Sequence, residues 1–247
     1  MMLRFILGVL AVTLFHILTI PLMLVMGIIR IFNRNLAARW SQKIVNFGFY
    51  VETLCAGTKT VYLGDENLPK EEAVMFVANH RGFFDIILTS LHAPGPLGFI
   101  AKKEILWVPL LNIWMVLIGC VFIDRKNIRQ SFKVLEKACE GIKNDGISNL
   151  VCPEGTRNRG EEGTLLKFHD AALKVALKKG VTLVPVAISN SAAVMEADFP
   201  GLHPATVVVE FCKPIRAEEL SNEEKRAPGV LVAKIIEERL KQHKGMY

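Results

Sequence analysis

The sequence predicts an α/β domain, built on a mixed and largely parallel sheet flanked by helices, and preceded by two helices that associate with a membrane. Two observations lead to this prediction. After residue 59, short apolar runs of strand length alternate with segments of helical periodicity, as in strands connected by helices. Before it lies a much longer uncharged stretch. We therefore divide the 247 residues into an N-terminal membrane-associated segment, 1–58, and an α/β domain, 59–247.

The N-terminal segment opens with 25 uncharged residues between Arg4 and Arg30. As a helix they would measure about 37 Å, which exceeds the roughly 30 Å hydrocarbon core of a bilayer. The stretch is too long for the apolar region of a secretory signal, and no small-residue cleavage site follows it. It also explains why the chain, 51% hydrophobic with a mean hydropathy of +0.33, is more apolar than an ordinary soluble domain.

Positive charge is concentrated in the same segment. Residues 1–60 hold six Lys or Arg and one acidic residue, so they carry +5 of the chain's net +6. If the first helix spans the cell membrane, the basic residues after it place the α/β domain on the cytoplasmic side. The remainder of the chain is nearly neutral, which argues against nucleic acid as a partner.

A second arrangement of this segment is equally consistent with the pattern. Pro21 interrupts the first helix, and after Asn33-Arg34-Asn35 a second helix carries apolar residues at helical spacing: Trp40, Ile44, Phe47, Val51 and Leu54. Two helices joined by a polar turn can lie in one leaflet, with basic residues at the headgroups. Alternatively, the second helix packs on the α/β domain.

Six apolar runs predict the strands of the domain: 74–78, 97–101, 120–123, 147–152, 183–188 and 206–212. A helix with its apolar face at Ile128, Phe132, Leu135, Cys139 and Ile142 ends at the turn signal Asn144-Asp145-Gly146, and a last helix begins at Pro228. Residues 105–118 are almost wholly apolar. Their length favours a core helix, and the alternatives are the wall of a channel for an apolar ligand chain or a lipid-facing surface.

Two polar islands interrupt the apolar sequence of the domain. In the first, Asn79 to Asp85, a histidine precedes an aspartate by five residues. His80 can act as a base if Asp85 holds one ring nitrogen and leaves the other free. Five residues on one helix differ by about 140° in azimuth, so the two side chains meet only if His80 lies in the loop before the helix and Asp85 in its first turn.

The second island, Pro153-Glu154-Gly155-Thr156-Arg157, offers backbone donors and a guanidinium to a phosphate. Together the islands predict an enzyme that deprotonates a hydroxyl on a phosphorylated substrate.

Five cysteines without a C-x-x-C spacing indicate neither a disulfide framework nor a metal site, and no cofactor is expected. Cys152 fits a buried strand end better than a nucleophile. Glycine-rich nucleotide motifs and the G-x-S-x-G motif are missing from the sequence.

Residues 64–188 resemble the 1-acylglycerol-3-phosphate acyltransferases, whose four blocks occur here in order. His80 and Asp85 match the N-H-x-x-x-x-D block, Gly119 and 122–125 the G-x-x-F-I-D-R block, 153–157 the P-E-G-T-R block, and 184–186 the V-P-V block. The sequence departs from the usual pattern at Arg81-Gly82, where Gln-Ser is common, and at Cys152, where Phe is common. Neither departure changes His80 or Asp85, so they bear on which acceptor the protein prefers and not on the reaction.

The resemblance implies acyl transfer from an acyl thioester to the 2-hydroxyl of a lysophosphatidate, giving phosphatidic acid. In this interpretation His80 is the base and Asp85 orients it. Lys102, Arg125 and Arg157 hold the phosphate, while Glu154, Gly155 and Thr156 shape the acceptor site. The thioester is a co-substrate carried by coenzyme A or acyl-carrier protein. Two alternatives stay open: an acyltransferase for glycerol 3-phosphate or another lysolipid, and a non-catalytic, membrane-docked lipid-binding protein.

Overall fold

The computed structural model describes all residues, 1–247, and contains one mixed sheet of seven strands. The strands are β1 (Lys59–Leu63), β2 (Met75–Ala78), β3 (Leu97–Lys102), β4 (Val121–Ile123), β5 (Ser148–Val151), β6 (Leu183–Ser189) and β7 (Thr206–Phe211). Their order across the sheet is β1-β7-β6-β2-β5-β3-β4. Only the β6–β7 pair is antiparallel. The predicted α/β class and all six predicted strands are confirmed, and β1 is an additional edge strand.

Nine α-helices accompany the sheet. They are α1 (Met2–Leu18), α2 (Ile20–Phe32), α3 (Arg34–Ala56), α4 (Phe84–His92), α5 (Leu111–Leu117), α6 (Ile128–Asp145), α7 (Ala171–Lys178), α8 (Asn222–Arg226) and α9 (Pro228–Gln242). One hydrophobic cluster packs α2, α3, α4 and α5 against one face of the sheet. A second cluster packs α6, α7 and α9 against the other face.

The uncharged N-terminal stretch forms two helices rather than one. The chain breaks at Thr19, whose hydroxyl donates to Phe15 O at 2.7 Å, and Pro21 lies in the first turn of α2. The axes of α1 and α2 are bent by 54°. Neither helix alone is long and apolar enough to cross a membrane, whereas the bent pair passes that test by length and composition.

Helix α3 packs on the domain with its polar face. Gln42 is buried, where its amide donates to Ser90 Oγ at 2.6 Å and accepts from the backbone of Leu97 at 3.0 Å. Asn46 donates to Ser90 O at 3.1 Å. The apolar positions Trp40, Phe47 and Leu54 are exposed instead. The helix therefore packs on the domain, and an apolar surface still faces outward.

Residues 105–118 do not form one core helix, and that prediction is wrong. A 3₁₀ segment, Lys103–Trp107, is followed by Leu110 at a φ of 65°, after which α5 begins. Trp107 is 87% exposed, whereas Trp114 is buried and donates through its indole N–H to Thr19 Oγ1 at 3.1 Å. The break allows one half of the segment to pack inward while the other half lies at the surface.

Candidate active site

The two polar islands meet at one edge of the sheet. Strands β6, β2, β5, β3 and β4 are adjacent and parallel, so their carboxyl ends lie at the same edge. His80 follows β2, Lys102 ends β3, Arg125 follows β4, and Gly155 to Arg157 follow β5. This edge is where open α/β sheets bind ligands. The fold therefore brings together residues that are far apart in sequence.

His80 and Asp85 are hydrogen-bonded. His80 Nδ1 lies 2.9 Å from Asp85 Oδ2. His80 is in the loop before α4 and Asp85 is in the first turn of that helix, which is the geometry expected from the five-residue spacing. Because Nδ1 is engaged, Nε2 is the nitrogen left free to accept a proton, and His80 lines a large cavity.

Backbone donors hold the Asp85 carboxylate in place. Asp85 is fully buried, and its Oδ2 also accepts from the N–H groups of Arg81 and Gly82, at 2.7 and 2.8 Å. The amino end of α4 adds a favourable partial positive charge. These donors fix the position of the carboxylate, which can in turn orient the His80 ring.

The His80 loop is anchored to two neighbouring strands. The Asn79 side chain both donates to Ile188 O and accepts from Ile188 N, each at 2.8 Å, which ties the loop to β6. Glu154 accepts from the N–H groups of His80 at 2.7 Å and Leu166 at 2.8 Å. Burial raises the pKa of Glu154, while these two hydrogen bonds lower it. Glu154 therefore holds the loop and is not among the residues lining the cavity.

The other predicted site residues surround the cavity, whose volume is about 1760 Å³. Those lining it are Lys102, Arg125, Gly155, Thr156 and Arg157. The rest of its wall is mainly apolar and comes from α1, α3 and residues 105–118. Burial lowers the pKa of Arg125, because its positive charge is partly removed from water. An anion bound beside Arg125 would compensate that charge. The cavity thus joins a cationic end, beside His80, to a long apolar region.

The Pro153–Arg157 turn leaves backbone donors for a ligand. Gly155 has a φ of 71°, a conformation that favours glycine, and its N–H donates to Cys152 O at 3.0 Å. The N–H groups of Thr156 and Arg157 make no hydrogen bond within the protein. These two N–H groups are therefore available to an oxyanion, whereas that of Gly155 is not.

One carboxylate at the site was missed from the sequence. Glu196, in the segment after β6, accepts from Phe83 N at 2.7 Å and lies 3.4 Å from Arg157 Nη1. Its other oxygen is buried without a partner. A Cβ added to Gly82 would lie 2.5 Å from that oxygen, so Gly82 leaves room for the carboxylate. Glu196 and Gly82 are far apart in the sequence, so only the folded chain shows that they are in contact.

Arg81 does not place a free cation near the substrate. Its side chain is buried, with the two Nη groups donating to Glu161 O and Gly160 O at 2.9 Å and Nε 3.0 Å from Glu162 Oε2. The departure at this position therefore secures the loop 160–162 to the His80 loop. It does not add charge to the cavity.

Cys152 lines the cavity but is a poor nucleophile. Burial, with the nearby Asp85 and Glu154 charges, raises its pKa well above the usual thiol range, although Arg125 lowers it. A thiol reacts as the thiolate, so this environment disfavours covalent chemistry. His, Cys, Asp and Glu side chains do not cluster anywhere in groups of three that could hold a metal ion.

Comparisons with known proteins agree with this arrangement. The family model described as Acyltransferase matches residues 59–189, just over half of the chain. The chain is 31% identical over 175 residues to the 1-acyl-sn-glycerol-3-phosphate acyltransferase of Saccharomyces cerevisiae, covering 71% of this chain and 57% of that protein. It is 34% identical over 136 residues to the enzyme so named from Borreliella burgdorferi, covering 55% and 53%.

The corresponding Escherichia coli enzyme is 28% identical over 166 residues, covering 67% of this chain and 66% of that protein. The matched region thus spans between about half and two thirds of these curated relatives. The crystal structure of the 1-acyl-sn-glycerophosphate (LPA) acyltransferase PlsC from Thermotoga maritima superposes with a TM-score of 0.82 at 24% identity. It covers 99% of this chain and 96% of that one, and it confirms the fold, N-terminal helices included. Because the family model covers residues 59–189, the chain belongs to the acyltransferase family.

Proposed function

We propose that the protein transfers an acyl chain from an acyl thioester to the 2-hydroxyl of 1-acylglycerol 3-phosphate, giving phosphatidic acid. The observation that supports this most is the His80–Asp85 hydrogen bond of 2.9 Å beside a cavity that is cationic at one end and apolar along the rest. Such a cavity suits a substrate with a phosphate, a hydroxyl and an acyl chain. The names of the relatives support the same reaction.

In the proposed reaction, His80 Nε2 takes the proton of the 2-hydroxyl while that oxygen attacks the thioester carbonyl. Asp85 fixes the tautomer with the proton on Nδ1 and stabilises the imidazolium that forms. The tetrahedral intermediate collapses with cleavage of the carbon–sulfur bond, and the imidazolium returns the proton to the leaving thiolate. General-base assistance of this kind is worth roughly 10²- to 10⁴-fold in rate. No covalent enzyme intermediate is required.

The oxyanion of that intermediate would be stabilised by the backbone of the Pro153–Arg157 turn. The N–H groups of Thr156 and Arg157 are free and belong to residues that line the cavity. Fixed donors near a developing negative charge are a major source of rate enhancement. Because these donors belong to the turn that also carries the Arg157 guanidinium, binding of the phosphate and stabilisation of the oxyanion would be coupled through one loop.

Three cations are assigned to the acceptor phosphate: Lys102, Arg125 and Arg157. Arg157 is 42% exposed and holds Glu196 in the free protein. A phosphate carries more charge than a carboxylate and accepts several hydrogen bonds, so it can displace this contact. The phosphate would orient the glycerol backbone and bring the 2-hydroxyl to His80.

The apolar part of the cavity is assigned to acyl chains. Its wall includes Phe15, Ile44, Leu110 and Trp114, which come from three separate parts of the chain. The donor is an acyl thioester of coenzyme A or of acyl-carrier protein. The N-terminal segment contributes to this wall, so we assign it to binding of the hydrocarbon as well as to contact with membrane lipid.

We assign the protein to the cell membrane, with its active site on the cytoplasmic side. The exposed surface of α1 and α2 is dominated by large apolar side chains, and Arg30, Arg34, Arg39 and Lys43 follow close behind them. A helix pair of this kind can rest in one leaflet with its basic residues at the headgroups.

The test is an assay of the purified full chain with a panel of acceptors and both types of donor. We expect 1-acylglycerol 3-phosphate to be acylated at the 2-position with a much higher kcat/KM than glycerol 3-phosphate or lysolipids with a blocked phosphate. Preferred acylation of glycerol 3-phosphate or of another lysolipid would reassign the acceptor. Turnover with none of them would contradict the proposed function.

A further inference from the structure

A second cavity, of about 270 Å³, lies at the amino ends of the strands, whereas His80 lies at their carboxyl ends. Its walls come from the end of α2, from α6, and from Gly119 to Phe122, which lead into β4. Asn149, near the start of β5, also lines it. The amino ends of β4 and β5 border this cavity, whereas their carboxyl ends border the active site. The two cavities are therefore separate.

The lining of this second cavity contains three cations and no acid. Arg30, Arg34 and Lys137 contribute to it. Arg34 is paired with Asp145 at 2.7 Å, but Arg30 Nη1 is buried and has no hydrogen-bond partner. Burial, and then the neighbouring Arg34, lower the pKa of Arg30, while Asp145 raises it. A guanidinium nitrogen without an acceptor, in a cavity of excess positive charge, indicates that an anion is the missing partner.

The interior of the cavity offers an acceptor rather than another cation. Asn149 is 2% exposed, and its Oδ1 has no partner. Its Nδ2 makes only a long contact of 3.4 Å with Ile147 O. Because Arg34 and Lys137 are exposed and Asn149 is buried, these two cations lie toward the mouth and the amide toward the floor. A ligand that fits would carry a phosphate and, beyond it, a hydroxyl that donates to Asn149.

The turn of α2 that carries Arg30 exposes large apolar side chains on its outward faces. Ile28, Ile31 and Phe32 lie within one turn of Arg30 and are 60%, 79% and 83% exposed. Acyl chains of a membrane lipid would cover these side chains, which places the lipid's phosphate at the level of Arg30. A free phosphate would gain nothing from this surface. The apolar side chains therefore favour a lipid as the source of the anion.

We propose that this second cavity binds the headgroup of an anionic phospholipid of the phosphoglycerol type, with the phosphate at Arg30, Arg34 and Lys137 and a headgroup hydroxyl at Asn149. The site is independent of the acyl-transfer reaction. It would hold the protein on membranes rich in that lipid and set its orientation there.

The test compares binding of the full chain to phosphatidylcholine vesicles that contain either phosphatidylglycerol or phosphatidylserine at the same mole fraction. Both lipids carry one net negative charge, so diffuse attraction does not distinguish them. We expect a several-fold preference for phosphatidylglycerol. Arg30→Gln should weaken binding to phosphatidylglycerol vesicles by roughly tenfold and remove the preference, because it deletes a charge-assisted contact.

Two further variants separate the cavity from general charge. Arg39→Gln makes the same charge change at an exposed position outside the cavity, so it should weaken binding to both vesicles equally and keep the preference. Gly141→Leu keeps every charge but fills the cavity, since a Cβ at this position meets only Asp145 Oδ2, at 3.8 Å. Gly141→Leu should remove the preference for phosphatidylglycerol, and it replaces Arg30→Gln in the test if that variant does not fold.

An equal affinity for the two vesicles in the unmodified protein would overturn the proposal. The same conclusion follows if Arg30→Gln and Arg39→Gln weaken binding alike, or if Gly141→Leu keeps the preference. Soluble glycerol 1-phosphate is the control for the source of the anion, measured by calorimetry without vesicles. We expect it to bind far more weakly than the lipid, and an equal affinity would assign the cavity to a soluble phosphate instead.

Discussion

Glu196 and Gly82 form a matched pair beside the proposed base. The Glu196 carboxylate connects the first turn of α4, through Phe83 N, to the Arg157 guanidinium. It approaches Gly82 so closely that a β-carbon would lie 2.5 Å from it. Burial raises the pKa of Glu196, while Phe83 and Arg157 lower it. The pair therefore links the His80 loop to the residue assigned to the phosphate.

Gly82→Ser, which introduces the residue common in the family, should damage this protein. The new β-carbon displaces the Glu196 carboxylate, and overpacking of this kind costs about 1–3 kcal/mol of unfolding free energy. Activity should fall with it, because the His80 loop loses the contact that Glu196 makes with Phe83 N. The measurement is the unfolding free energy and kcat/KM of the variant beside Gly27→Ser, a helical glycine with no atom within 4 Å of an added Cβ.

The double variant Gly82→Ser/Glu196→Ala decides whether the contact is the cause. Removing the carboxylate also removes the clash, so the double variant should be more stable than the sum of the two single changes indicates. Additive losses would show that Gly82 and Glu196 act independently.

Arg157→Ala should weaken acceptor binding while leaving chemistry largely intact. A charge-assisted contact to a phosphate is worth about 1.5–3 kcal/mol, which corresponds to roughly a 10- to 100-fold increase in the acceptor KM. Steady-state kinetics with 1-acylglycerol 3-phosphate measure it, with Arg226→Ala on exposed α8 as the control. An unchanged KM would place the phosphate elsewhere, and Lys102 and Arg125 would be tested next.

At the scale of residues, spacing predicts contacts within one loop but not between loops. The five-residue spacing of His80 and Asp85 was enough to predict their geometry, since both belong to one strand–loop–helix unit. Glu154 and Arg81 could not be assigned in this way. Their partners, at His80 and at 160–162, are about 75 to 80 residues away in sequence, so only the folded chain shows that they are internal contacts.

At the scale of elements, apolar patterns predicted strands well and helix orientation poorly. Strands β2, β5 and β6 are buried along their whole length, with helices on both faces of the sheet, so each appears in the sequence as a continuous apolar run. β1 lies at an edge and alternates in exposure, which hides it. The apolar face of α3 was an ambiguous signal, because apolar residues face either a core or lipid. Here the polar face packs inward through Gln42 and Asn46.

The contact between α1 and α3 makes the stability of the folded chain depend on pH. Glu52 on α3 lies against Gly8 of α1, and burial raises its pKa to about 7 from 4.5. The folded chain therefore holds this proton more tightly than the unfolded chain. This contribution to stability is fully present below about pH 4.5 and is lost as the pH rises through about 7.

Glu52→Gln should reduce that loss of stability. Unfolding of the full chain, followed by circular dichroism at several pH values between about 4 and about 8, measures the effect. Glu237→Gln, at an exposed position of α9, is the control and should leave the pH profile unchanged. Identical profiles for the unmodified protein and Glu52→Gln would contradict the assignment.

At the scale of the whole molecule, the N-terminal helices and the α/β domain share one core and one cavity. Met23, Met26 and Val45 belong to the same cluster as Phe76 and Val186 of the sheet. The division at residue 58, into a membrane-associated segment and an α/β domain, remains a prediction. It could not reveal the shared core, because the sequence separates the partners by more than 30 residues. Removing residues 1–56 would open the cavity as well as remove the membrane surface.

Membrane association is better tested by changing the surface than by truncation. Three large apolar side chains outside the cavity, at Ile31, Phe32 and Trp107, are each more than 70% exposed. Replacing them with Ser should sharply reduce recovery on vesicles, because less apolar area leaves water on binding. Activity toward a dispersed short-chain acceptor should be retained. Val230→Ser, at a position of α9 that is 71% exposed, is the matched control and should change neither result.

His80, oriented by Asp85, is proposed as the base that activates the acceptor hydroxyl. The most direct measurement is acyl transfer by folded His80→Ala, set beside the binding of lysophosphatidate to the same variant. Turnover should fall by at least about 100-fold, because the general base is lost, while lysophosphatidate binds within a few-fold of the unmodified protein. Asp85→Asn should be impaired less severely. Substantial turnover by His80→Ala would contradict the account and remove His80 from the mechanism.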